Sequence, residues 1–326
     1  MSEHPVFDEE ERGLAHMGKI AYRIKNWKDY NRALINRGNL TLWFSEDAVE
    51  NWYSTPTEAP GPGRQFTYSD ACIELGLTLR SLFRFPLRAT QGFLEGLVKL
   101  MNLNLRVPHY SILSRRAGDL EIEIPRKEKA GSLDLVIDST GLKVYGEGEW
   151  KMRTHGKQKR RTWRKYHVAV DPDTHEVVAM ELTDSTAHDA DVVVDLMKGL
   201  ANLKNVYADG AYPLKQSLDA IALAGGQAVI PPRSGTCIVK KNPSPGQEQR
   251  NRLIRERRAV GGKNAWKKSS GYHRRSLVET HMFRLKTILG DKLHNVNVEN
   301  QKTEAAIMAS ILNKMTTLGM PQSFVK

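Results

Sequence analysis

The order of apolar patterns between residues 133 and 230 restricts the fold of this chain more than any other feature. Residues 133–138 (LDLVID), 165–170 (KYHVAV) and 176–182 (EVVAMEL) read as strands, with no helical pattern between them, and DPDT at 171–174 separates the last two as a turn. Helix and strand then alternate: 190–200 is helical, 205–209 (NVYAD) strand-like, 213–223 helical and 227–230 (QAVI) strand-like, before a basic stretch and a final helix at about 272–289. Three strands in succession form an antiparallel meander, whereas strands joined through helices run parallel. The order therefore predicts an α/β fold, a sheet of mixed direction with helices on its faces. In this order the first and fourth strands are neighbours at the centre of the sheet.

Upstream, the run TPTEAPGPGR at 55–64 is too rich in proline and glycine for helix or strand and closes an N-terminal segment, 1–64. Residues 65–128 turn helical. Phe93, Leu94, Leu97, Val98 and Met101 recur at helical spacing, 102–107 interrupts them, and Pro108 can open a second helix that Gly118 ends. In that helix Ile112, Leu113 and Ala117 would pack inward. Tyr110, Ser111, Ser114 and Arg115 would face out, residue types that contact phosphates and base edges. The pair reads either as a helix-turn-helix-like DNA-binding region or as a helical hairpin with a polar outer face. The remainder, 129–326, holds the sheet, with a basic insertion at about 233–270.

Charge is uneven along the chain. Residues 151–165 carry eight Lys/Arg and no acid, Lys159, Arg160, Arg161 and Arg164 among them; residues 233–275 carry thirteen against Glu248 and Glu256. These two segments exceed the whole net charge of +12. Concentrated positive charge neutralises phosphates and releases their counterions, so a nucleic-acid surface is expected, with solvated faces or a basic loop as the alternative. Nothing in the composition indicates a staple: Cys72 and Cys237 belong to no C-x-x-C or Cys/His cluster, so neither disulfide nor zinc is expected. The acidic start at 1–12 has no apolar core, and no run approaches the roughly 18 apolar residues a membrane span needs, so a cytoplasmic protein is expected. The absence of a nucleotide-binding glycine-rich loop disfavours a small-molecule enzyme.

Two strand ends carry acids: Asp138, before Ser139, and Asp209, before Gly210. Either alone reads as a turn former. Together, on neighbouring central strands, their carboxylates would lie side by side and repel unless a cation separates them, and hard oxygen donors select Mg²⁺ or Mn²⁺. On the final helix Tyr272, Arg275, Glu279 and Lys286 fall within a roughly 60° sector of the wheel, opposite Leu277, Val278, Leu285, Ile288 and Leu289. A carboxylate flanked by Arg, Lys and Tyr suits a site that holds a metal beside a phosphodiester; the plain alternative is a solvated Arg275–Glu279 pair.

Tyr272-(2)-Arg275-(3)-Glu279-(6)-Lys286, preceded by LVIDSTG ending the first strand and VYADGAY ending the fourth, resembles the DDE transposases of bacterial insertion sequences that carry the Y-(2)-R-(3)-E-(6)-K signature. The resemblance covers about 133–289. It implies an RNase H-like catalytic fold, a divalent metal pair (Mg²⁺, with Mn²⁺ as substitute) held by Asp138, Asp209 and Glu279, and contacts from Tyr272, Arg275 and Lys286 to DNA near the transposon end. It further implies terminal inverted repeats and target DNA as partners, at least a dimer on DNA, and a nucleoid-associated place in a bacterial cytoplasm. Two rivals are an RNase H-like nuclease or resolvase without strand transfer, and a DNA-binding regulator without catalysis.

Other residues have ordinary explanations. Trp163 and Trp266 are expected to pack in the core rather than stack a flipped base. Asp134 shares a strand face with Asp138 and is expected to make a structural hydrogen bond. Asp184, Asp189 and Asp191 suit the positive end of the first crossover helix. His167, His188 and His281 have no metal-ligand spacing.

Overall fold

The computed structural model describes residues 22–44, 46–55, 66–127, 131–144, 163–233 and 235–325. Its strands are β1 (Tyr22–Ile24), β2 (Leu133–Val144), β3 (Trp163–Val170), β4 (Val177–Asp184), β5 (Leu203–Tyr207), β6 (Gln227–Val229), β7 (Lys292–Leu293) and β8 (Ser323–Val325). Its helices are α1 (Trp27–Asn36), α2 (Leu40–Trp43), α3 (Glu46–Glu50), α4 (Asp70–Phe83), α5 (Leu87–Leu100), α6 (Tyr110–Arg116), α7 (Asp189–Leu196), α8 (Lys215–Leu223), α9 (Pro245–Ala259), α10 (Lys263–Ser269), α11 (Ser276–Ile288) and α12 (Val298–Leu318).

The main sheet has the order β4-β3-β2-β5-β6, with β7 pairing the far end of β2. β2, β3 and β4 form the antiparallel meander, and β2 runs parallel to β5, which runs parallel to β6. This is the mixed sheet that the element order predicts, in the RNase H-like form that the resemblance implies. One boundary differs. β2 does not end at Asp138: it continues to Val144, because Val136 to Lys143 pair residue by residue with Val170 to Trp163 of β3, and Lys143 and Val144 also pair with β7. The Ser139-Thr140-Gly141 that follows Asp138 is inside the strand. Gly141 fits there because Trp163 covers it so closely that an added Cβ would meet the ring at 3.0 Å.

The centre of β2 is the core. Leu135, Val136 and Ile137 are inaccessible to solvent, and the same hydrophobic cluster reaches Leu79 of α4, Leu94 of α5, Leu113 of α6 and Ile311 of α12. The helical region before the sheet therefore shares its core. Within that region Gly76 on α4 lets α6 approach closely: a Cβ there would meet the Leu113 side chain at 3.0 Å. Polar ties cross the same boundary, Arg80 donating to Asn295 (3.1 Å) and Asn300 to the Ser114 carbonyl (2.8 Å). Trp43 and Trp52 are buried while Trp27 is exposed. Replacing Leu135 with alanine leaves a cavity in a fully packed place and is expected to remove about 2–5 kcal/mol of stability, read as a lowered urea midpoint at unchanged slope.

The basic insertion is folded. Ser244 and Gln247 form a capping box and Pro245 opens the helix, which starts α9 firmly. That helix then closes the sheet. Gln249 donates to the Gly226 carbonyl (2.7 Å) and accepts from the Ala228 amide (2.6 Å), as a neighbouring strand would, and Arg252 donates to the Ala228 carbonyl (2.8 Å). The edge strand β6 is thus covered by side chains, and its backbone groups are satisfied.

Two buried histidines make the fold sensitive to acid. Burial pushes His281 down to about 3 and His167 down to about 4. Both are neutral in the folded chain, while the unfolded chain protonates them near 6.5. The unfolded state therefore binds more protons below pH 6.5, and stability, fully present above that pH, falls as the pH drops. The loss is on the order of 1 kcal/mol per pH unit for each histidine, until its folded pKa is reached. Thermal melts at pH 7.5, 6 and 5 should show a stepwise fall in Tm.

Candidate active site

The parallel register of β2 and β5 aligns the first two acids. Val136 pairs with Tyr207, so Asp138 and Asp209 each lie two residues further along, Asp138 inside β2 and Asp209 just past the end of β5. Asp209 turns the chain, accepting from the Ala211 amide at 2.7 Å. Asp138 accepts from the Ser139 amide at 2.9 Å.

Glu279 arrives from α11. The elements here differ from one continuous helix over 272–289: Tyr272–Arg275 form a 3-10 turn, and the α-helix begins at Ser276. Three residues on at three residues per turn, Arg275 still lies above Tyr272, so the polar side is preserved. Val278 and Leu285 face the core, while Glu279 and Lys286 are exposed. Arg275 joins the pieces: Nη1 donates to Asp138 Oδ2 (2.7 Å) and Nη2 to Glu279 Oε1 (2.5 Å). A single guanidinium thus bridges carboxylates 141 positions apart in the chain.

Electrostatics show the same convergence. Burial raises the Asp138 carboxyl above its ordinary range; the Ser139 amide and Arg275 oppose this, and the charge of Asp209 adds to it. Burial likewise raises the Tyr272 hydroxyl; Arg275 acts against the rise, and Asp209, Asp138 and Glu279 reinforce it. Tyr272 is itself largely buried, its ring 6.0 Å from that of Trp266. The donor set is wholly carboxylate, which suits a hard divalent cation. Among the described residues, however, no three His, Cys, Asp or Glu side chains are gathered closely enough to hold a metal ion. Arg275 supplies the positive charge between Asp138 and Glu279.

The other expected site residues fall in three places. Arg115 is exposed on α6; Tyr110, Ser111 and Ser114 are half-buried, Tyr110 under the Arg88 guanidinium (4.8 Å) and Ser111 bonded to His109 (2.8 Å). Arg164, on β3, pairs with Asp184 and donates to Gln301 (2.8 Å). Lys159, Arg160 and Arg161 lie outside the described residues. Trp266 is buried and donates to Glu256 (3.3 Å). Asp134 makes the expected structural bonds, accepting from the Asn205 amide (3.1 Å) and from Arg274 (2.5 Å). Sequence reasoning passed over Arg274, which pairs with both Asp134 and Asp173 and so ties the turn before α11 to the sheet. Its one signal was its place beside Arg275. Cys72 is buried and Cys237 exposed, both free. No described helix is long and apolar enough to cross a membrane.

The sheet order and the crossing of β2, β5 and α11 define an RNase H-like protein. Within that class the chain belongs to the DDE transposase family: a family model described as transposase DDE domain matches residues 129–314, and a second of the same description matches residues 35–147. DNA is the substrate that this family implies.

Proposed function

We propose that the protein is the transposase of an insertion sequence, binding the element's terminal inverted repeats and catalysing metal-dependent strand cleavage followed by strand transfer. One observation supports this reading: Arg275 bridges Asp138 and Glu279, and the register of β2 and β5 sets Asp209 level with Asp138, so acids from three separate elements face one end of the sheet. Asp138, Asp209 and Glu279 would hold Mg²⁺ or Mn²⁺. When bound, such ions supply Lewis-acid activation of the attacking oxygen and stabilise the leaving oxygen. The carboxylates then act as ligands, not as proton carriers.

The remaining residues position DNA. Arg275 has a planar fork suited to two phosphate oxygens, and Lys286 is exposed on the same face of α11, about two turns beyond Glu279. Tyr272 is largely buried, so its part would be to support Arg275 or to offer its hydroxyl to a backbone oxygen. Arg115, with Tyr110, Ser111 and Ser114 beside it, forms a second contact surface on α6, and Lys159, Arg160 and Arg161 belong to the same basic proposal. Arg164 already serves Asp184 and Gln301, so a phosphate contact from it would require breaking that pairing. Joining two DNA ends calls for at least a dimer on DNA.

The test is a cleavage and transfer assay on DNA carrying the encoding element's ends, with Mg²⁺ or with EDTA. Metal-dependent nicking at the end, followed by joining to target DNA, is expected. Nicking without joining would leave a nuclease, and binding without nicking a regulator.

A further inference from the structure

Asp189 opens α7, where an acid is favoured by the helix dipole. Its side chain does something else. It makes no cap for its own helix and instead turns back to the sheet, where Oδ1 accepts from Ser139 Oγ (3.1 Å) and from Lys165 Nζ (3.2 Å). Lys165 is held there by a second bond to the Ala187 carbonyl (2.7 Å). His167, the cross-strand partner of Ser139, lies 3.7 Å from the same oxygen, with its Nε2 bonded to Thr183 (2.8 Å). Burial keeps His167 neutral near pH 7, so Lys165 is the cation facing Asp189. Tyr212 completes the cluster. It is fully buried, and its hydroxyl lies beside Ser139 within the field of Asp189, Asp138 and Asp209.

Ser139 connects this cluster to the site. Adjacent residues of a strand face opposite sides, so Ser139 presents its hydroxyl to Asp189 on one face while its amide fixes the Asp138 carboxylate from behind. Resting on the reading of Asp138 as a metal ligand, we propose that Asp189 is a positioning residue: through Ser139, with Lys165 and Tyr212 as supports, it sets the backbone of β2 at the catalytic edge and hence the direction in which Asp138 presents its oxygens. A carboxylate aimed at a strand from outside it restricts the rotation of the next peptide. A metal site is sensitive to such restriction, because groups that orient a ligand typically contribute about 10–100-fold to metal affinity or activity.

The experiment compares the native full chain with Asp189→Asn, Ser139→Ala, Ser139→Thr and Asp138→Asn. Free Mn²⁺ is titrated by electron paramagnetic resonance in the absence of DNA, and nicking of end DNA is followed against Mn²⁺ concentration. Asp189→Asn and Ser139→Ala are expected to weaken Mn²⁺ binding and to raise the concentration for half-maximal nicking by about 10–100-fold, with affinity for the DNA end unchanged. Ser139→Thr, which keeps the hydroxyl, is expected to restore both. Native Mn²⁺ behaviour in Asp189→Asn and Ser139→Ala, beside an inactive Asp138→Asn, would overturn the positioning role and leave the site intact. Loss of Mn²⁺ binding in Asp189→Asn as complete as in Asp138→Asn would make Asp189 a ligand and overturn it equally. Normal nicking by Asp138→Asn would instead remove the site reading on which the proposal rests.

Discussion

Glu279→Gln, Asp138→Asn and Asp209→Asn are each expected to lower metal-dependent nicking of end DNA by roughly 1,000-fold or more while leaving end binding intact. Each change keeps the shape of the side chain and removes the negative charge that a dication needs. A loss of several kcal/mol of transition-state stabilisation corresponds to that range, at about 1.4 kcal/mol per tenfold. Folding should survive. Glu279 is exposed and its amide oxygen can still accept from Arg275, and Asp138 and Asp209 each retain an oxygen for the Ser139 or Ala211 amide. The measurement is nicking in Mg²⁺ beside a gel-shift on the same DNA. Normal nicking by any one variant would exclude that residue from the site.

Arg275→Ala should give the second large effect, with a different signature. The expected result is a fall of roughly 100-fold in nicking, from loss of a charge-assisted contact to phosphate, with Mn²⁺ binding in the absence of DNA as strong as in the native chain or stronger. The sign follows from the geometry. In the structure this guanidinium lies on Asp138 and Glu279, so a cation entering between those carboxylates must displace it. Removing it leaves two acids without a counter-charge, which favours the metal, while the DNA loses its clamp. Arg275→Lys should recover little, since an ammonium cannot present the planar fork. Mn²⁺ binding that weakens in step with nicking would make Arg275 a support for the carboxylates rather than a contact for DNA.

Much of the candidate site was legible as a candidate because its signals are local. The three acids and the polar side of α11 lie in short motifs, and the apolar residues behind Glu279 repeat at helical spacing. The same periodicities fixed the meander and the α/β alternation. Where reading failed, the deciding partner was distant. Ser-Thr-Gly looks like a strand end, yet the pairing of 136–143 with 163–170 carries β2 on to Val144. Asp189 has a sufficient local explanation in the helix dipole, and only the folded chain shows its carboxylate turned to Ser139 and Lys165.

The long helix α12 makes the same point. Gln301, Glu304 and Asn313 lie on its buried face, so its apolar pattern is broken although the helix is central. Each is satisfied by backbone outside the helix. Glu304 accepts from the His294 and Asn295 amides (2.9 and 3.1 Å), and Asn313 both accepts from the Val177 amide (2.7 Å) and donates to its carbonyl (2.8 Å). Buried polar groups of this kind stabilise only when paired, and the pairing is a property of the assembled fold.

By itself, then, the sequence determined the order of strands and helices in a mixed sheet, the short motifs that hold the three candidate acids, and where positive charge is concentrated, because side-chain periodicity and composition act within a few residues. Tertiary structure alone decided where β2 ends, how the basic insertion closes the sheet edge, which carboxylates Arg275 bridges and what Asp189 faces. Those outcomes depend on hydrogen-bond partners far apart in the chain, and a donor or acceptor in a sequence carries no mark of the distant group that will satisfy it.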